Sequence, residues 1–378
     1  MEAPRATSIE IPGPFQSEKV KDAAFRIRET LGRTAQVSVA FVSPDYLPHL
    51  QEFVETLRVD GHISNVIGCT SVGRIADKHE VENDPGCSIL ALCCDVGEPV
   101  GLEAHAPALQ LSGPRPHGAI LLVNPFRFEA DNWLRQWNRE YPGTAVVGGL
   151  ASGGEEDDVA VFLNGRPADA VCLPLAGRAS ILPLVSQGCR PIGEPLTVTR
   201  AEHNIVYALG GQPAYEVLET AFESLTDSEK SVAKGNLFAG LAGTEYLDDF
   251  KPGDFLIRNI IGADPGSGAV VIGGIPRTGQ TLQYQLRDRD IAKADLKRVL
   301  ATGALHGVRP FAALLFSCLG RGERFFGSPN HDASSFYAAA GKSPLAGFFC
   351  NGEIAPVAGR NAVHGYTAAA ALWVEKSH

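Results

Sequence analysis

The chain has 378 residues, of which 44% are hydrophobic and 20% are charged, and its formal net charge is −10. This length suits two or three domains of ordinary size, and the negative charge argues against a nucleic-acid partner or an anionic membrane surface. No uncharged apolar run approaches the ~18 residues that a membrane span needs. The first fifteen residues contain acidic side chains and lack the apolar stretch of a secretory signal. We therefore expect a cytoplasmic protein.

One order of predicted elements occurs three times along the chain. Each copy has a strand, a helix, a second strand that contains two glycines five residues apart, and a last strand. The copies span residues 37–93, 119–163 and 312–372, and their last strands are predicted over residues 87–93, 158–163 and 363–372. Their glycine pairs are Gly68 and Gly73, Gly148 and Gly153, and Gly347 and Gly352. We expect the second glycine of each pair to have a positive φ or a close backbone neighbour.

A β-α-β-β unit covers one sheet face with its helix and must cover the other face with a second unit. The sequence therefore predicts an α/β fold with mixed β-sheets, built from repeated β-α-β-β units with helices on the outer faces. We expect the third unit to pack against one of the first two.

The segment between the second and third units has a different pattern. Strand patterns cover residues 196–209, 255–261, 269–275 and 280–287, and an amphipathic helix is predicted over residues 290–300. Glycine and proline are dense around residues 186–195, which indicates a boundary. We predict an N-terminal extension over residues 1–33, one half over residues 34–190 and a second half over residues 191–378.

Polar groups flanked by glycine follow apolar runs near the end of the chain, at residues 317–322, 351–353 and 364–367. Ligands usually bind at the strand ends of an α/β sheet. We therefore predict one concave site for a small molecule, formed by Ser317, Cys318, Gly320, Arg321, Gly322, Asn351, Gly352, Glu353 and His364. The alternative is a set of tight turns in which Arg321 and Glu353 form a structural ion pair.

The eight cysteines form no Cys-x-x-Cys pair, zinc-ligand spacing or haem-attachment motif. We expect all eight to be free thiols in a reducing compartment. Cys318 and Cys350 adjoin the glycine turns, and we expect them to be the most reactive if those strand ends open onto a pocket.

The motifs SCLGRG (317–322), GFFCNGEI (347–354) and HGYT (364–367) resemble the C-terminal half of the FIST (F-box and intracellular signal transduction) family. Residues 66–73 and 204–214 are similar to motifs earlier in that family, so the resemblance runs from about Thr34 to about Trp373. It implies two FIST halves and an intracellular sensory module for a small ligand. Some bacterial members resemble haem-dependent nitric-oxide sensors, and a eukaryotic branch adds an F-box. No F-box-like helical segment precedes residue 34, so a ubiquitin-ligase adaptor role is not supported.

Three functions remain open at this point. In a sensory binding module, Arg321 would hold a carboxylate bidentately and Glu353 would receive an amine, which suits an amino-acid-like or other small polar ligand. A haem-binding nitric-oxide sensor would need a histidine or cysteine axial ligand. A cysteine-dependent enzyme would use Cys318 or Cys350 as nucleophile and His364 as base. The sequence indicates no third residue to orient that base, so the enzyme ranks last. No kinase, cyclase or methyl-accepting segment is fused to the chain, so we expect a signal to leave through a separate signalling partner or through a rearrangement of an oligomer.

Overall fold

A computed structural model of the chain describes residues 3–104, 114–244, 250, 253–301 and 307–376. Its α-helices are α1 Ser17–Leu31, α2 Leu50–Val59, α3 Ala130–Glu140, α4 Ala214–Glu223, α5 Asp227–Ala233, α6 Arg289–Leu300, α7 Glu323–Phe326 and α8 His331–Ala339, and Pro44–His49 and Glu156–Asp158 are 3-10 helices. Within the described ranges, no helix combines the length and the apolar character that crossing a membrane requires.

The strands of the first two units and their neighbours are β1 Arg5–Pro12, β2 Ala35–Val42, β3 Ile63–Thr70, β4 Gly73–Ala76, β5 His79–Glu82, β6 Gly86–Cys93, β7 Val100–Leu102, β8 Ala119–Val123, β9 Val146–Leu150, β10 Val161–Leu163, β11 Arg166–Ala168 and β12 Ala170–Pro174. The later strands are β13 Ala179–Gln187, β14 Cys189–Glu202, β15 Ile205–Leu209, β16 Gln212–Pro213, β17 Leu237–Ala242, β18 Phe255–Asp264, β19 Ala269–Ile272, β20 Thr281–Arg287, β21 Ala312–Cys318, β22 Leu345–Cys350, β23 Glu353–Val357, β24 Arg360–His364 and β25 Thr367–Glu375.

The three predicted units share one connectivity. In each, the first strand is parallel to the second, which follows a helix, and the last strand returns antiparallel to the first. These strand triplets are β2, β3 and β6, then β8, β9 and β12, then β21, β22 and β25. The predicted mixed α/β sheets with repeated units are therefore confirmed.

A hairpin lies between the second and last strands of every unit, and the predicted four-element pattern did not include it. Residues 158–163 were predicted to form the last strand of the second unit. They instead contain β10, the first strand of a hairpin that turns at Asn164 and Gly165, whose φ angles are 52° and 79°. The last strand of this unit is β12. In the third unit, the predicted strand 363–372 is two strands, because the chain turns at Gly365 and Tyr366.

Each hairpin pairs with the sheet of a different unit. The β4–β5 hairpin extends the third sheet beside β22, β10–β11 extends the first sheet beside β3, and β23–β24 extends the second sheet beside β9. This exchange is cyclic and joins the three units in a closed ring. The third unit consequently pairs with both of the others, which confirms the expectation that it packs against at least one.

The inner faces of the three sheets meet in one apolar core. Val39 of β2, Leu122 of β8 and Leu314 of β21 are among its fully buried residues. The outer faces are covered by helices, with α1 and α2 on the first sheet, α3 on the second, and α6 and α8 on the third. This arrangement leaves the ends of the strands as the places where polar side chains can gather.

The paired glycines serve close packing of the backbone. A Cβ atom on Gly68, Gly148 or Gly347 would lie 2.2, 1.8 or 2.0 Å from a carbonyl oxygen of the neighbouring first strand. None of the second glycines, Gly73, Gly153 and Gly352, has a positive φ, but a Cβ on any of them would lie 2.8–3.3 Å from its nearest neighbouring atom. Close approach, rather than a left-handed backbone, therefore explains the shared spacing.

The segment between the second and third units forms a fourth, antiparallel sheet. Its seven strands run in the order β14-β20-β17-β18-β19-β15-β16, and a further pairing of β14 with β15 connects distant parts of the sheet. Helix α4 contributes Leu218 to its core. On its outer side, Arg258 of β18 donates a 3.0 Å hydrogen bond to the carbonyl of Val363 in β24. The fourth sheet thus adjoins the third unit, and the predicted division at residue 190 stays a prediction.

Candidate functional site

The first motif lies at the ends of two adjacent parallel strands. Cys318 ends β21, Cys350 ends β22, and the two residues are partners in the strand register. Beyond Cys318 the chain turns sharply, since the N–H of Arg321 donates a 2.8 Å hydrogen bond to the Cys318 carbonyl. Gly322 then has a φ of 97° and precedes α7. The sequence requires glycine here because an L side chain rarely adopts this backbone conformation.

Arg321 binds a protein carboxylate in the interior, but that carboxylate belongs to Asp332 and not to Glu353. Its Nε and Nη2 donate hydrogen bonds of 2.6 and 2.9 Å to the two oxygens of Asp332, and Ser317 Oγ donates a third, of 3.1 Å. Burial alone would raise the pKa of Asp332, but the charge and hydrogen bonds of Arg321 hold it well below its usual range. The predicted Arg321–Glu353 ion pair is therefore replaced by an Arg321–Asp332 pair.

Glu353 is a wholly buried carboxyl group at the start of β23. Its Oε2 accepts a 3.0 Å hydrogen bond from the N–H of Thr367, and the Cys350 thiol lies 3.3 Å from Oε1. Burial raises the pKa of Glu353 to about 8, although these hydrogen bonds partly offset the shift. Glu353 is therefore mostly protonated at neutral pH and does not offer the carboxylate that would receive an amine.

His364 lies directly opposite Glu353 in the β23–β24 pairing. The imidazole is 3% exposed, its Nε2 is 3.1 Å from the Ala355 carbonyl, and its Nδ1 has no hydrogen-bond partner among the described residues. Burial lowers the pKa of His364 to about 4, so the ring is neutral at physiological pH. The Ala355 bond engages Nε2 with the backbone and not with either thiol.

Both cysteines of the predicted site are thiols at neutral pH. Burial, with the nearby Glu353 as a second cause, raises the pKa of Cys318 to about 12, and burial raises that of Cys350 well above its usual value. Cys318 is partly exposed and its Sγ accepts a 3.3 Å hydrogen bond from the N–H of Tyr366. Because the thiolate is the reactive form, neither side chain is activated as a nucleophile here.

The remaining predicted residues have backbone roles or lie outside the cluster. The carbonyl of Gly320 accepts a hydrogen bond from Arg287. Gly352 is buried and its carbonyl accepts a 2.8 Å bond from Leu150. The side chain of Asn351 is exposed, while its N–H bonds to the Leu150 carbonyl across to the second unit.

The structure thus gathers several predicted residues with others that the sequence did not single out. We call this set the motif cluster; it comprises Ser317, Cys318, Arg321, Asp332, Cys350, Glu353 and Thr367. No sequence motif pointed to Asp332. Thr367 lies in the HGYT segment but was not among the predicted site residues. All eight cysteines of the chain are free, as expected.

Tyr366 is a further residue that sequence reasoning missed, although it also lies in the HGYT segment. Its φ of 61° is rare for a bulky residue. The ring packs 4.4 Å from Phe238 and 4.7 Å from the guanidinium of Arg287, and its hydroxyl bonds to Asn259. Strained residues of this kind concentrate at functional sites, so Tyr366 is the part of the HGYT motif that most clearly indicates one.

A groove of about 680 Å³ opens beside this tyrosine, and its other described lining residues come from the fourth sheet and the α4–α5 segment. We call it the Tyr366 groove; its lining includes Leu218, Phe222, Lys230, Lys234, Leu237, Phe238, Asn259, Ile260, Ile261 and Tyr366. Ile261 is 65% exposed, which is unusual for so apolar a side chain in a groove. Mostly apolar walls with a few convergent polar groups are typical of small-molecule sites.

The lining of the Tyr366 groove bears on whether the protein binds haem. A haem iron needs an axial ligand, most often histidine or cysteine, in an apolar pocket. The described residues that line the Tyr366 groove include neither, and His364 is buried with Nε2 on a backbone carbonyl. The groove therefore does not fit haem ligated by histidine or cysteine.

Comparison with known proteins identifies the family. A model of the FIST N domain matches residues 36–212, and a model of the FIST C domain matches residues 214–356. Uncharacterized protein Rv0628c of Mycobacterium tuberculosis (strain ATCC 25618 / H37Rv) is 36% identical over 369 residues, covering 94% of this chain and 95% of that protein. Uncharacterized protein Mb0898c of Mycobacterium bovis (strain ATCC BAA-935 / AF2122/97) is 37% identical over 322 residues, covering 82% of this chain and 83% of the relative. The chain therefore belongs to the FIST family and contains both its N and its C domain.

Proposed function

We propose that this protein is a sensory module that binds a small molecule in the Tyr366 groove. FIST domains are associated with sensing in signal transduction, and the groove adjoins the family's C-terminal motifs. The observation that carries the proposal is Tyr366 itself. It joins the groove to the motif cluster, because its ring lines the groove while its N–H bonds to Cys318.

The lining of the groove favours a ligand with an aromatic or apolar body. Phe222, Phe238 and Tyr366 present three rings, and stacking of aromatic rings adds to the free energy gained from burying their area. Lys234 supplies positive charge at the groove and Asn259 supplies an amide, whereas Lys230 is paired with Glu223 at 2.5 Å. A small aromatic or aliphatic carboxylate, including an amino acid with an apolar side chain, meets these requirements.

In this proposal the motif residues shape the site and do not clamp the ligand. Arg321 is already bound to Asp332 through two of its nitrogens, while its Nη1 lies 3.5 Å from the Tyr366 carbonyl. Cys318 holds the Tyr366 N–H, and the Gly320 carbonyl fixes Arg287 against the tyrosine ring. These contacts support a tyrosine held in place before the ligand binds, which reduces the entropic cost of binding.

The experiment is a thermal-shift screen of the purified protein against amino acids and aromatic carboxylates, with mass spectrometry of any molecule that co-purifies. We expect at least one compound to stabilise the protein, and Phe238→Ala to abolish that stabilisation. Phe126→Ala is the matched control, because Phe126 is 53% exposed and lies in the second unit. If no compound binds, or if the variant at position 238 binds as well as the parent, the groove is not the ligand site.

An absorbance spectrum of the same preparation tests the haem alternative separately. The proposal predicts no Soret band, even after incubation with haemin. A Soret band that persists through gel filtration would replace the proposal with the haem-sensor function. Because the chain would act by sensing, we also propose that a separate protein receives the signal.

A further inference from the structure

A second cavity lies on the opposite side of the motif cluster, between helices α6 and α8. This cleft has a volume of about 470 Å³, and its lining includes Lys293, Leu296, Lys297, Leu300, His331 and Ser335. Among the described residues, this lining contains two lysines and a histidine but no acidic side chain. In a chain with a net charge of −10, so local an excess of positive charge suggests a site for an anion.

Two of the basic residues of helix α6 line the cleft. Lys293 and Lys297 are spaced by four residues, so they lie on one face of the helix. Among the described residues, neither lysine has a carboxylate partner within ion-pair distance, whereas Arg298 of the same helix pairs with Asp295 at 2.7 Å. The lysine charges are therefore left for a group from outside the protein.

His331 adds a positioned hydrogen-bonding group to this cleft. Its ring stacks on Phe326 at a centroid distance of 3.8 Å, and its Nδ1 lies 3.1 Å from Oδ1 of Asp332. With Nδ1 held by a carboxylate, Nε2 is the nitrogen that remains for a ligand.

We propose that the cleft between α6 and α8 binds the phosphate group of a small phosphorylated molecule. Lys293 and Lys297 would donate charge-assisted hydrogen bonds to the phosphate oxygens, and His331 Nε2 would form a further hydrogen bond with the phosphate group. Leu296 and Leu300 provide an apolar floor for the rest of the molecule. This cleft is a separate cavity from the Tyr366 groove.

The site is connected to the motif cluster through one chain of contacts. His331 bonds to Asp332, Asp332 bonds to Arg321, and Arg321 reaches the carbonyl of Tyr366. A dianion bound beside His331 would place negative charge next to the His331–Asp332 hydrogen bond. The motif cluster is therefore the physical link between the cleft and the groove.

The test uses the full chain labelled with ¹³C and ¹⁵N in histidine, titrated with inorganic phosphate at constant ionic strength. The His331 imidazole signals, assigned by their loss in His331→Gln, should shift and saturate. Lys293→Ala combined with Lys297→Ala should weaken this binding by about tenfold or more, as expected for the loss of two charged donors. Lys21→Ala, on the exposed face of α1, is the matched control and should leave it unchanged.

Three results would overturn the proposal. The first is a His331 shift that stays linear with phosphate concentration, and the second is equal phosphate affinity in the parent and the double-lysine variant. The third is acetate binding as tightly as phosphate in the same titration, because a site built for phosphate should prefer the dianion. Since neither lysine is buried in the core, loss of folding would not explain a negative result.

Discussion

Arg321 and Asp332 are joined by two hydrogen bonds, of 2.6 Å from Nε to Oδ2 and 2.9 Å from Nη2 to Oδ1, and their side chains are 0% and 2% exposed. This pair connects the glycine-rich turn after β21 to the first turn of α8. Tyr366 contacts the pair from the groove side and His331 contacts it from the cleft side. Arg321 of the SCLGRG motif and its partner Asp332 thus contact one residue that lines the Tyr366 groove and one residue that lines the cleft between α6 and α8.

We predict that Arg321→Ala lowers the free energy of unfolding by roughly 3–5 kcal/mol, because it leaves the Asp332 carboxylate buried without its partner. Urea denaturation at pH 7 measures the loss. Arg178→Ala is the control, since the Arg178–Glu375 pair is 34% and 39% exposed and surface pairs contribute about 1 kcal/mol or less. Equal losses in the two variants would show that the buried pair has no special structural role.

The pH dependence of stability should change in Glu353→Gln. Burial raises the folded-state pKa of Glu353 to about 8, above an unfolded value of about 4.3. The folded state therefore binds a proton that the unfolded state releases, so the stability contributed by this group falls as pH rises from about 4 to about 8. Glutamine remains neutral throughout, so the variant should gain stability relative to the parent between pH 5 and 8, by on the order of a few kcal/mol.

Thermal or urea unfolding at several pH values measures this difference. Asp332 contributes the opposite dependence, because its depressed pKa stabilises the fold above about pH 4 and this contribution is lost as pH falls further. The comparison must therefore stay above pH 5. Glu216→Gln, at an exposed position of α4, should leave the slope unchanged. If the parent and Glu353→Gln lose stability in parallel from pH 5 to 8, Glu353 is ionised in the fold.

Local patterns predicted much of the architecture. The alternation of strands and helices, and the repeated glycine spacing that ends with Gly352, identified three related units, because each pattern reflects burial within a single element. The exchange of hairpins among the units was not predictable, since strand pairing depends on contacts between residues far apart in the chain. The β10–β11 hairpin did have a local signal in Asn164 and Gly165, a pair that favours a tight hairpin turn.

The sequence indicated which strand ends carry the motif residues but not how their side chains pair. Sequence placed Arg321 and Glu353 at the ends of neighbouring strands, and opposite charges then suggested an ion pair. Asp332 is nearer to Arg321 in space because the turn of α8 returns it to the end of β21, and this return has no sequence motif. Glu353 is neutral because it is buried. Its burial depends on how the β23–β24 hairpin and the fourth sheet pack, which no local sequence pattern specifies.

Cys318 should be the first cysteine modified in the native protein. It is partly exposed, whereas the other seven cysteines are buried. Since its pKa is raised to about 12, alkylation at pH 7 should be slow and should accelerate as pH rises. Cys350 was expected to be among the most reactive thiols if its strand end opened onto a pocket, but it is buried.

Peptide mapping after a short treatment with iodoacetamide measures the order of modification. Cys318→Ser should remove the fastest phase and leave the others unchanged. Rapid modification of Cys318 at pH 7, at the rate of an activated thiolate, would contradict the raised pKa. It would instead support the cysteine-dependent enzyme with Cys318 as nucleophile.

Close approach of the backbone at the paired glycines predicts a steep cost for adding one methyl group. In Gly347→Ala the new Cβ would lie 2.0 Å from the carbonyl oxygen of Leu315, so β21 and β22 must separate. We expect the free energy of unfolding to fall by roughly 3 kcal/mol or more, at the upper end for overpacked cores. Gly262→Ala in β18 is the control, because nothing lies within 4 Å of its Cβ position and its φ is not positive; it should change stability by less than about 1 kcal/mol. Urea denaturation measures both variants.

The same substitution should also change the reactivity of two cysteines. Because β21 and β22 carry Cys318 and Cys350, Gly347→Ala should speed alkylation of these thiols. A variant as stable and as protected from alkylation as the parent would show that the two strands need no glycine at position 347.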